Sequence, residues 1–296
     1  MDKLQATRNE ILVIGTLKDK NLEVKTSAKG NQYITGNLTV NVVDKNGVGE
    51  IKIRVMQMAT KADGTENKLY KGAVTVKNDY KIGDTIKVMG SVETNDFYLA
   101  NEDKVFESIV AKASIITRVD ETTEHCAKVC FGGYIESIND LEDGSAKVKM
   151  IGANFKGDVI PVTLDVPQEL VQAFKTKYYD GCTTTLYYHM VNAVMTIEDN
   201  TVAEFGESFG STVTRKIKKN LVFGGDKIEE LGMDGEVLRK AMALRQMELE
   251  KKLQEGRERK TQPVQSAPSM NNGFEGFKVD NAPSIPNPFA SQNSPF

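Results

Sequence analysis

From Ile11 to about Arg118, apolar residues recur at every second position, and this period most limits what the chain can fold into. Ile34, Gly36, Leu38, Val40 and Val42 share one parity, while Tyr33, Thr35, Asn37, Thr39 and Asn41 share the other. That is the alternation of a strand buried on one face. In the next strand Ile51, Ile53 and Val55 alternate with Lys52 and Arg54, across the turn-forming run Asp44-Lys45-Asn46-Gly47. Ile86, Val88, Gly90 and Val92 form a further strand after the turn Lys81-Ile82-Gly83-Asp84, and a last one is expected near Ser108 to Arg118.

Residues 127–223 repeat the plan more loosely. Strands are expected from Val129 to Ile138, around Ala146, Val148 and Met150, and around Ile160, Val162 and Leu164. A short helix follows, with Pro167 in its first turn and Leu170, Val171 and Phe174 on one face. Strands return at Thr183 to Val191, Ala193 to Ile197 and Thr212 to Phe223. Five or so strands with one short helix, occurring twice, make the fold mostly β: two small closed five-stranded barrels over residues 1–118 and 119–224.

The period turns helical from 227 to 259, where Leu238, Met242, Leu249 and Leu253 stand among Glu, Lys, Arg and Gln. Residues 225–260 are therefore expected as a helical linker, exposed or self-associating. Beyond Thr261 lie six of the eight prolines with Ser, Asn and Gln, so 261–296 is expected to be a disordered tail. Two short runs in it, Pro286-Asn287-Pro288-Phe289 and Ser294-Pro295-Phe296, set a phenylalanine beside proline where a partner could reach it.

Charge does not recruit the whole chain to a polyanion: 38 basic against 41 acidic residues leave −3. The split is uneven, with 18 basic and 15 acidic residues in 1–118 and 10 against 15 in 119–224, so any polyanion site is local. The polar stretch Asp2 to Glu10 ahead of Ile11–Ile14 gives neither a signal peptide nor a membrane span. Three cysteines are too few for a disulfide framework and fit a reducing cytoplasm. No Gly-x-x-x-x-Gly-Lys-Ser/Thr loop or Gly-x-Ser-x-Gly elbow occurs, and His125 and His189 are the two histidines, so the chain is not expected to be an enzyme. His125, Cys126, Cys130, Cys182 and His189 lack the paired spacing of a zinc site, and neither metal nor cofactor is expected.

The first barrel resembles the bacterial and phage single-stranded DNA-binding protein family, which uses the OB-fold. The resemblance rests on Gly15-Thr16-Leu17, the polar arm Lys18 to Lys29, the run Gly30 to Asn41, the basic strand Ile51 to Val55 and the run Ile82 to Val92. It covers about the first 118 residues, and the second barrel is similar in layout only. That family ends in a flexible tail with an acidic run and a Pro-Phe terminus that docks on partners. Pro295-Phe296 matches it, while only Glu275 and Asp280 supply acid nearby, which favours a dedicated phage partner.

A binder of single strands needs cations along a groove and flat side chains on which bases stack. Lys52 and Arg54 share the outward parity of one strand, and Tyr33 and Asn37 that of its neighbour; solvated surface residues would look the same. Lys18, Lys20, Lys25 and Lys29 lie on the polar arm, Tyr70 and Tyr98 are further stacking candidates, and Arg215, Lys216 and Lys218 form the basic cluster of the second barrel. Lysines blunting an edge strand explain that cluster equally well. The acidic second barrel has two readings, a weaker DNA site or a module for a homodimer.

These features predict sequence-tolerant binding of single-stranded DNA in the cytoplasm, the host's if the chain is phage-encoded. Replication or recombination proteins would be recruited through Pro288, Phe289, Pro295 and Phe296. The alternative is a virion structural or assembly protein that uses small β-barrels as interaction modules. RNA binding is not distinguished from DNA binding by any residue here.

Overall fold

The computed structural model describes residues 4–45, 47–199 and 211–261, apart from the side chains of 48, 194–199, 211–216 and 261. The first unit runs β1 (Asn9–Thr26), β2 (Gln32–Asp44), β3 (Gly47–Met58), α1 (Lys68–Asp79), β4 (Thr85–Thr94), a small hairpin β5 (Phe97–Leu99) and β6 (Lys104–Phe106), then β7 (Ile109–Arg118). The second runs β8 (Cys126–Asp140), β9 (Ala146–Ala153), β10 (Val159–Val166), α2 (Gln168–Lys177), β11 (Thr183–Asp199) and β12 (Ser211–Gly225), before the long helix α3 (Gly235–Thr261).

Both units share one connectivity. In the first the order is β1-β2-β3-β7-β4, with β4 returning to pair with β1; in the second it is β8-β9-β10-β12-β11, with β11 returning to β8. In each, the third and fifth strands pair parallel and a helix joins the third to the fourth. A closed five-stranded Greek-key barrel of this kind is the OB-fold. The chain is thus mostly β, with two OB barrels and a C-terminal helix.

The period of two fills both interiors. Ile34, Leu38, Val40 and Val42 of β2, Ile51, Ile53 and Val55 of β3, and Val148, Met150, Val162 and Leu164 of the second barrel are all buried. Each such side chain contributes roughly 1.5–3 kcal/mol on burial. Gly36 occupies an inward position of β2 at φ +148°, where a Cβ would lie 1.8 Å from the Asn21 carbonyl oxygen. The close crossing of β1 over β2 therefore requires glycine there.

The barrels are joined by backbone pairing. Residues Asn9 to Ile14 of β1 run antiparallel to Phe131 to Cys126 of β8, so a single sheet passes from one unit into the other. A second junction forms where Ala193 of β11 pairs with Gly49 of β3 and the Asn192 side-chain amide donates to the Glu50 carbonyl.

Two elements differ from the sequence reading, and a third gains its position. Residues 183–199 form one continuous strand, not two. Helix α1, the short helix expected in the first barrel without a position, lies at Lys68–Asp79: the Asn67 side chain accepts from the Leu69 N–H at 3.0 Å to start it, and Ala73 and Val76 are buried on its inner face. Helix α3 is docked, not exposed on all sides. Asp234 caps it by accepting from the Glu236 and Val237 N–H groups, and Leu238 packs with Leu4 ahead of β1 and with Ile151, Ala153 and Val159 of the second barrel. At its far end Arg257 pairs with Asp103 of the first barrel at 2.9 Å, and Tyr98 lies against Gly256.

Candidate nucleic-acid interface

The outward face of β1, β2 and β3 is built by register. Tyr33 stands opposite Met58, Thr35 opposite Met56, Asn37 opposite Arg54 and Thr39 opposite Lys52. On the other flank β1 places Lys25 beside Tyr33 and Asn21 beside Asn37. Because alternate residues of a strand face one side, the rows put cations, amides and apolar side chains on one surface. Lys52 is exposed and neither it nor Arg54 has an ion-pair partner among the described residues; the Arg54 guanidinium donates to the Met56 sulfur at 3.9 Å. Met56 and Met58 are exposed beside them, and thioethers are soft, adaptable contacts for a flat ring.

The lysines of the polar arm divide. Lys25 pairs with Glu23 at 2.8 Å, and that mutual hydrogen bond holds the Glu23 carboxyl below and the Lys25 ammonium above their ordinary values. Lys18 pairs with Glu50. Lys29 is exposed in the loop between β1 and β2. Lys20 is engaged within the fold: its ammonium donates to the carbonyls of Val76, Lys77 and Tyr80, closing the last turn of α1, whose carbonyls lack helical partners.

Two aromatic candidates make contacts within the fold. Tyr70 lies on α1 and packs half-buried against the barrel core. Tyr98 is engaged by α3, its ring on Gly256 and its hydroxyl donating to Asp103 at 2.8 Å. That hydrogen bond raises the Tyr98 pKa, and the one from Arg257 lowers that of Asp103. Tyr80 is likewise occupied, with the Arg118 guanidinium 4.6 Å from its ring centre.

In the second barrel, Lys218 is exposed on β12. The backbones of Arg215 and Lys216 belong to β12, but their side chains lie outside the described residues, as do Pro288, Phe289, Pro295 and Phe296. Lys147 and Lys149, passed over in the sequence, project outward from β9 across from Asp165 and Thr163 of β10. Their alternation with Ala146, Val148 and Met150 was the available signal. Tyr188 is fully buried and His189 nearly so, 4.4 Å from Phe223; burial raises the tyrosine pKa and lowers that of the histidine. Among the described residues no group of His, Cys, Asp and Glu is gathered to hold a metal, and no helix is long and apolar enough to cross a membrane.

A family model described as YorF matches residues 7–255. No curated protein matches the chain. Among solved structures, the chain is similar to the wild-type single-stranded DNA binding protein from Thermus aquaticus, at 14% identity and a TM-score of 0.49, covering 78% of this chain and 97% of that one. A deletion mutant of the same protein gives the same identity and score over 76% of this chain and 97% of its own. The small single-stranded DNA-binding protein from Streptomyces coelicolor matches over 40% of this chain and 96% of its own, at 14% identity and a TM-score of 0.26.

Proposed function

The chain belongs to the YorF family, and we propose that it binds single-stranded DNA without strong sequence preference, on the outward face of β2 and β3. The observation that carries this reading is the cross-strand set Tyr33–Met58, Asn37–Arg54 and Thr39–Lys52 on an OB barrel. Lys52 and Arg54, free of carboxylate partners among the described residues, track phosphates. Tyr33 and the two methionines receive base faces, and Asn37 and Thr39 supply adaptable hydrogen bonds. Stacking and phosphate contacts read no base edges, so binding tolerates any sequence.

The clusters Pro288-Phe289 and Pro295-Phe296 recruit replication or recombination proteins. Support for this part is their place as apolar groups in a stretch rich in Pro, Ser and Asn.

Titrating labelled oligo-dT and a duplex of equal length at two salt concentrations tests the reading. Tighter binding of the single strand, weakening as salt rises through counterion release, is expected. Equal affinity for duplex and single strand overturns it.

A further inference from the structure

A groove of about 560 Å³ runs between the two barrels, walled by the end of the β5–β6 hairpin on one side and the outward face of β9, β10 and β12 on the other. Lys147, Lys149 and Lys218 line the second-barrel wall, and none has an ion-pair partner among the described residues. On the opposite wall stands Phe106, 44% exposed and in tilted contact with Phe97 at 5.4 Å. Glu136 and Asp165 also line the groove, but one Asp165 oxygen accepts from the Asn220 backbone N–H at 3.2 Å. The Asn220 side chain is held in turn, donating to the Thr163 carbonyl at 2.9 Å.

The two walls come from different barrels, and one residue of α3 sets their spacing. The Arg245 side chain is only 11% exposed and makes a two-pronged contact with Asp96, 3% exposed, at 3.0 and 3.2 Å. It also reaches Glu107, next to Phe106, at 2.9 Å. Its charge is therefore committed to the hairpin, and a fork of this geometry fixes orientation as well as distance. Since α3 is anchored on the second barrel by Leu238, Arg245 ties the Phe106 wall to the lysine wall.

We propose that this groove is a second, composite site for a single-stranded phosphodiester chain, resting on the DNA-binding reading above. Lys147, Lys149 and Lys218 take the phosphates, Phe106 takes a base, and Arg245 is the positioning residue that holds the two walls in register. Cations along one wall and an exposed ring on the other are the two ingredients of sequence-tolerant single-strand binding. The site differs from the β2–β3 face in needing both barrels and α3 at once.

The test uses the full chain with dT oligomers of about 10 and about 30 nucleotides, since one OB barrel covers roughly 4–16 nucleotides. The triple variant Lys147→Glu, Lys149→Glu, Lys218→Glu is expected to bind the longer oligomer at least about tenfold more weakly. Its dependence of log affinity on log salt should flatten by about 2, from three lost contacts at about 0.7 each on a single strand. Affinity for the shorter oligomer, held by Lys52 and Arg54, should stay within about twofold. Arg245→Ala should weaken the longer complex without changing the salt slope, because its charge is not offered to the strand. Unchanged affinity and slope in the triple variant, with wild-type binding intact and its loss in Lys52→Ala/Arg54→Ala, overturns the composite site alone. A wild-type chain that binds neither oligomer overturns the reading beneath it.

Discussion

Asn37 of β2 lies directly across the ladder from Arg54 of β3, and one outward step along the same strands Thr39 faces Lys52. Both pairs stand on the solvent side of a barrel whose opposite parity, Leu38 and Ile53, is fully buried. Cation and amide are therefore held at fixed spacing by a wall that cannot shift register without exposing its core. The double variant Lys52→Ala/Arg54→Ala is expected to lower oligo-dT affinity about tenfold or more and to flatten the salt dependence by about 1.4, two contacts at about 0.7 each. The melting temperature should hold, since neither side chain packs inward. Unchanged affinity would place the DNA on another face.

Lys20 makes the opposite prediction. Its ammonium closes the C-terminal turn of α1 through three carbonyls, so Lys20→Met should cost about 1–2 kcal/mol of stability in chemical unfolding. Oligonucleotide affinity should stay within about twofold. A selective loss of affinity at unchanged stability would restore Lys20 to the binding surface.

The contrast between Lys52 and Lys20 shows what could be read from the sequence. The interiors of β2, β3, β9 and β10 were legible because one buried face imposes strict alternation, and that alternation also assigned Lys52 and Arg54 to the outer face. Lys20 falls on the other parity, opposite buried Leu38 and two positions from buried Leu22, and its partner is a helix end 56 to 60 residues away, which alternation along one strand does not reveal. Helix α1 itself carries a weak signal, with Gly72 and the β-branched Val74, Thr75 and Val76 in its middle. The docking of α3 was hidden for a different reason. It rests on long-range contacts, ion pairs such as Arg245 with Asp96, 149 residues apart, together with the packing of Leu238 on the second barrel.

Gly36→Ala tests the crossing of β1 and β2. A Cβ at 1.8 Å from the Asn21 oxygen, on a backbone with φ +148°, forces the strands apart. The expected cost is at least about 1–3 kcal/mol, read as a lower urea midpoint. Wild-type stability would mean that β1 and β2 do not approach so closely.

Acidification should release α3. Backbone N–H groups of Val237 and Glu236 hold the Asp234 carboxyl below its ordinary value, and Arg257 does the same for Asp103. A carboxyl with a depressed folded-state pKa contributes stability that is present above its unfolded value, near about 3.9, and is lost as the pH falls through the folded value. Helix α3 should therefore stay docked from neutral pH to about 5 and loosen below about 4. Amide exchange across 235–261, corrected for its intrinsic pH dependence, measures this. Protection that persists unchanged to pH 3 would show that the apolar contact of Leu238 suffices.

The tail clusters are the last test. Phe289 and Phe296 lie well beyond the helix that touches both barrels, in a stretch with one lysine and two acids. A segment so poor in charge gains little from phosphates, so its aromatic groups have a protein surface as their natural target. Phe289→Ala/Phe296→Ala should leave oligo-dT affinity and its salt slope unchanged, while removing capture of replication or recombination proteins by the immobilised full chain. Weaker oligo-dT binding in that variant would assign the two rings to the DNA instead, and retained capture would move the recruiting surface onto the barrels.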